Sequence, residues 1–69
     1  MNYSYMLSGT INAYPIKTKC FKSYEKALKY LDKVIVNSDV EIENIFTTDD
    51  TMTTYVANNY SRFVLAKIA

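Results

Sequence analysis

Histidine and tryptophan are absent from this chain of 69 residues, and cysteine, glycine, proline and arginine occur once each, as Cys20, Gly9, Pro15 and Arg62. Without histidine the commonest general base and metal ligand at neutral pH is missing, which excludes most hydrolytic triads. A single cysteine can form neither an internal disulfide nor a thiolate zinc site, and with no histidine to activate it Cys20 reads as a small apolar core residue. One glycine cannot build a phosphate-cradling loop, so Walker and dinucleotide-binding fingerprints are excluded. No apolar run approaches the ~20 residues that cross a bilayer. The segment Met1–Leu7 has neither the basic start nor the apolar stretch of a signal peptide, so the expected location is the cytoplasm. Cofactors are not expected.

Apolar residues make up 49% of the chain and charged residues 22%, the balance of a folded globule. The length allows one domain, residues 1–69, with a thin core that oligomerisation, a homodimer for example, would reinforce. Residues rich in AT codons (Lys, Ile, Asn, Tyr, Thr) are abundant, which suggests a low-GC bacterium or one of its viruses.

Tyr3, Tyr5 and Leu7 alternate with Ser4, Met6 and Ser8, the period of two expected of a half-buried strand over Tyr3–Ile11. Gly9 marks a bulge or a close backbone approach. Asn12-Ala13-Tyr14-Pro15 reads as a turn, followed by a second strand in which Ile16, Thr18 and Cys20 face away from Lys17, Lys19 and Phe21. Ser23 is a suitable N-cap and Glu25 suits the first turn, so a helix is expected from Tyr24. Tyr24, Ala27, Leu28, Leu31, Val34 and Ile35 form its apolar stripe, and Asn37-Ser38-Asp39 ends it. Val40, Ile42 and Phe46 then alternate with Glu41, Glu43 and Thr47 up to the turn Thr48-Asp49-Asp50-Thr51. Between Met52 and Ile68 a hairpin about Asn58-Asn59 competes with a helix from Asp50. The β-branched residues and paired asparagines favour the hairpin. The expectation is therefore an α+β fold of order β-β-α-β-β-β, one amphipathic helix on a mainly antiparallel sheet.

Charge is uneven along the chain. Residues 1–34 carry six lysines against Glu25 and Asp32, whereas residues 35–69 carry five acids against Arg62 and Lys67. Lys22, Lys26, Lys29 and Lys33 fall on one ridge opposite the apolar stripe, with Tyr30 on the same helix. Lysine is also what exposed helix faces ordinarily carry. Seven tyrosines are present, and Tyr3, Tyr5, Tyr14, Tyr55 and Tyr60, on strands or their ends, suit a contact surface for protein or for unpaired bases. Glu41, Glu43, Asp49 and Asp50 read as ordinary surface acids rather than a metal site.

These features point to a binding protein rather than an enzyme. The ridge Lys22, Lys26, Lys29, Lys33 with Tyr30, and the tyrosines Tyr3, Tyr5 and Tyr60, are the expected contact residues. The expected function is a protein-binding inhibitor or adaptor, and a nucleic-acid-binding module is the alternative. In its small size, its composition and the strand-to-helix junction Phe21-Lys22-Ser23-Tyr24-Glu25-Lys26-Ala27, the chain resembles the phage-encoded anti-defence proteins of anti-CRISPR type. That resemblance implies a host protein or ribonucleoprotein complex as partner, bound and blocked in the host cytoplasm.

Overall fold

The computed structural model describes residues 3–48 and 51–68. Its elements are β1 (Tyr5–Ile11), β2 (Tyr14–Pro15), β3 (Lys19–Phe21), α1 (Tyr24–Ser38), β4 (Ile42–Thr48), β5 (Met52–Ala57) and β6 (Ser61–Lys67). All strand pairs are antiparallel, in the order β2-β1-β6-β5-β4, with β3 also paired to β1. The fold is the expected α+β arrangement with one strand more, β-β-β-α-β-β-β. The extra strand is β2, formed because Asn12 (φ 53°) and Ala13 (φ 70°) turn the chain back in a two-residue hairpin. Pro15 is tolerated there because β2 lies on the sheet edge.

The helix begins and ends where its caps lie. The Ser23 hydroxyl accepts from the Lys26 N–H at 3.2 Å, and Glu25 sits in the first turn. Asp39 adopts the left-handed conformation (φ 55°) and its N–H donates to the Val36 carbonyl at 3.3 Å, closing the last turn. Ala27 and Leu31 are buried, Leu28, Val34 and Ile35 flank them, and Tyr24 stays half in solvent.

The covered face of the sheet follows from the registers. Leu7 pairs with Leu65 and Gly9 with Phe63, while Tyr55 pairs with Phe63 on the other side. Directly opposed residues share a face, so Leu7, Leu65, Phe63 and Tyr55 turn toward α1 together. Phe63, Leu7 and Leu31 are the largest fully buried side chains. Gly9 is required at its position, since a Cβ there would overlap the Arg62 carbonyl. Its absence lets β1 lie close against β6 beside the Phe63 ring.

Three expectations are corrected. Phe46 does not share a face with Ile42: the register shifts between Ile42 and Asn44, so Glu43 is an extra residue and Ile45 takes the helix-side position opposite Tyr55. Cys20 is exposed rather than in the core, because its pairing with Met6 puts it on the face away from α1 while Phe21 turns inward. In the hairpin between β5 and β6, the positive φ values fall on Asn59 and Tyr60, one residue later than the Asn58-Asn59 pair. The hairpin itself, rather than a helix, is what the segment forms.

A helix ~10 Å wide covers about two strand spacings of ~4.8 Å. Here α1 lies over β1 and β3. The outer end of the β4–β5 hairpin extends past it.

Candidate interaction surfaces

The lysine ridge forms in part: Lys26, Lys29 and Lys33 are exposed along α1, whereas Lys22, also exposed, precedes the helix and is set off its row by the extended N-cap Ser23. Because α1 lies over β1 and β3, exposed Lys17 and Lys19 of the sheet edge fall on the same flank. Tyr30 does not join this row. Its ring packs 5.4 Å from that of Phe21, and the Lys19 ammonium sits 4.8 Å from its centroid, a cation–π contact bracing β3 to the helix.

The tyrosines divide between two ends of the sheet. Tyr3 and Tyr5 lie where β1 begins; Tyr5 is half-buried and makes an edge-on contact with Tyr24 at 5.6 Å. Tyr60 lies at the opposite end, ~20 Å away along the strand direction at ~3.3 Å per residue. Tyr3, Tyr5 and Tyr60 therefore do not form one surface.

At the Tyr60 end three turns are tied together. The Ala13 N–H donates to the Tyr60 carbonyl at 2.9 Å, and the Asn12 N–H to Ser61 Oγ at 3.1 Å. The Ser61 hydroxyl donates to the Asn59 carbonyl at 3.4 Å, so this buried side chain is satisfied in both directions. Asn58 brackets Glu41, accepting from its N–H and donating to its carbonyl, both at 3.0 Å. On this frame Tyr60 is 87% exposed in a left-handed conformation (φ 58°) that disfavours bulky side chains, and Tyr14 is 76% exposed nearby on β2. Tyr14, one of the strand tyrosines suited to a contact surface, belongs to this end beside Tyr60. An open groove of about 780 Å³, lined among others by Tyr60, Arg62, Glu43 and Val56, runs beside it.

Among the described residues nothing forms a second layer on the face of the sheet away from α1. Cys20, Met6, Ala66, Met52 and Thr48 cross it in one row, Ser8, Val64, Thr54 and Phe46 in the next, and Thr10, Arg62, Val56 and Asn44 in the third. Arg62 is the one charged side chain among these described positions. Phe46 is 54% exposed, and on the helix-side face Ile45, beyond the reach of α1, is 57% exposed.

Burial holds the Tyr55 hydroxyl above the usual tyrosine range, helped by neighbouring Tyr24 and by the negative charge of Asp32. Glu41 and Glu43 are exposed, and Asp49 and Asp50 lie outside the described residues. Among the described residues no group of three or more His, Cys, Asp or Glu side chains could hold a metal ion, and no helix is long and apolar enough to cross a membrane. No protein-family model matches the chain, no curated protein matches it in sequence, and no solved structure matches it in fold.

Proposed function

We propose that this chain is a small non-enzymatic protein-binding inhibitor or adaptor that acts by covering part of its partner with the open face of its sheet. The observation carrying this reading is the row structure of that face, with Met6, Val64, Ala66, Met52, Val56 and Phe46 around a single charge, Arg62. A surface so poor in charge and so rich in apolar and methyl-bearing side chains gains from burial against protein, and has little with which to hold phosphates. The resemblance to phage anti-defence proteins gives the partner class, a host protein or ribonucleoprotein complex. A nucleic-acid reading draws on a different observation, the exposed lysines Lys22, Lys26, Lys29 and Lys33.

The experiment is capture from a lysate of a low-GC bacterium on the immobilised chain, with and without nuclease. A face variant (Phe46→Ser with Met52→Ser) and a ridge variant (the four lysines changed to Glu) run beside the parent. The expected result is a discrete protein partner kept by the parent and the ridge variant after nuclease and at raised salt, and lost by the face variant. Retention that vanishes with nuclease or with the ridge, and survives in the face variant, selects nucleic acid instead.

A further inference from the structure

The two long edges of the sheet differ in charge and in protection. One edge is formed by β2 and β3 and carries Pro15 with the exposed side chains of Lys17, Lys19 and Lys22. Proline and lysine keep such an edge from pairing with a like edge, while its lysines leave it open to an acidic one. The other edge is β4, seven residues long, with no proline, glycine or lysine. Glu41 and Glu43 stand at its start, and Asp49 and Asp50 follow it in sequence. Past the bulge at Glu43 the register of β4 is regular from Asn44 to Thr48, so its outward N–H and C=O groups form an even row. Ile45 and Phe46 lie exposed on its two faces, and a strand added beside them would cover part of both.

We propose that copies of this chain join head to tail, the β4 edge of one adding to the β3 edge of the next, so that a single sheet runs through successive copies. Charge selects this occupant. A two-fold β4–β4 pairing would bring Glu41 and Glu43 of both copies to one interface. A β3–β3 pairing would set lysine against lysine. Like charges opposed across strands destabilise a pairing and opposite charges favour it. Head-to-tail pairing alone sets the edge that carries Lys17, Lys19 and Lys22 beside the edge that carries Glu41 and Glu43. The fold creates this polarity by sending the basic half of the chain to one flank and the acidic half to the other. Such an interface is heterologous, so it leaves a complementary edge free at each end and grows or closes into a ring. It leaves most of the proposed binding face open, since a strand added beside β4 covers only part of Phe46 at its margin.

Light scattering and sedimentation velocity on the intact chain test this. The parent should exceed its 8.0 kDa monomer mass and pass beyond a dimer as concentration rises at low salt. Its association constant should fall roughly tenfold or more at high salt as the edge charges are screened. Two edge variants sharpen the test: Lys17→Glu with Lys19→Glu and Lys22→Glu, and Glu41→Lys with Glu43→Lys. Each alone has two edges of one sign and should stay monomeric, while an equimolar mixture should associate. A parent that remains monomeric, stops at a dimer or associates independently of salt overturns the proposal, and none of these readings depends on a variant folding. A mixture that fails to associate although both variants keep the parent's circular dichroism and melt overturns it as well.

Discussion

The flank under α1 and the outer part of the β4–β5 hairpin are made of similar strand residues with opposite fates. Leu7, Phe63 and Leu65 lie beneath or beside the helix and are almost wholly removed from water, whereas Ile45 and Phe46, as apolar as any of them, are more than half exposed. The difference comes from the width of one helix set against the width of the sheet. A 15-residue helix contributes a single stripe, and that stripe lies over β1 and β3. Hydrophobicity in this chain thus serves stability on one side and remains available for contact on the other.

The largest expected effect lies at the centre of the covered side. Leu31→Ala removes a fully buried side chain and should destabilise the fold by ~2–5 kcal/mol, close to everything a domain of this size has. Ile45→Ala should cost less than ~1 kcal/mol because that side chain leaves no closed cavity. Urea unfolding followed by circular dichroism measures both, and equal losses would mean that the outer hairpin is as much core as the helix seam.

A smaller effect is expected from reversing the basic flank. Changing Lys22, Lys26, Lys29 and Lys33 to Glu alters exposed charges whose individual pairings are worth ~0–1 kcal/mol. Lys29→Glu adds a carboxylate one turn from Glu25 and three residues from Asp32, each repulsion worth ~0.2–0.5 kcal/mol. The thermal midpoint should drop by a few degrees with the transition still cooperative. Complete loss of structure would show that the flank holds the fold together rather than presenting charge.

The smallest effect concerns pH. The folded state raises the Tyr55 pKa above its ordinary value, so it favours the neutral phenol. Above pH ~10 the unfolded chain releases that proton first, and stability falls as pH rises toward the folded value. Tyr55→Phe should flatten the alkaline decline in unfolding midpoint relative to the parent, leaving neutral pH as the reference. An unchanged slope would place Tyr55 in an environment no drier than that of the exposed tyrosines.

Much of this architecture was legible because the signals were local. Ser23 and Asp39 mark the ends of α1 through their own hydrogen bonding and backbone geometry, and the stripe from Ala27 to Ile35 needs only the helical period to be seen. The C-terminal hairpin was legible in its β-branched residues and its asparagines. What escaped depends on neighbours in space. The bulge at Glu43 has no glycine to announce it, and it inverts the parity of everything after it, so Ile45 and Phe46 exchange faces. Cys20 was misassigned because a three-residue strand takes its facing from pairing with Met6, beyond what its own alternation can reveal. The helical part of the lysine ridge could be read from helix geometry, whereas the open face could not, since its exposure depends on which strands the helix happens to cover.

The central seam between β1 and β6 joins residues 5–10 to residues 62–67. A chain growing from its N-terminus on a ribosome has β1, β3 and α1 long before the strand that fills the middle of the sheet. Until β6 emerges, Leu7 and Leu31 lack Phe63 and Leu65 as partners. Pairing between distant segments carries the loop-closure cost before any of its return. The seam of the core is therefore completed only when the last strand of the sheet reaches β1.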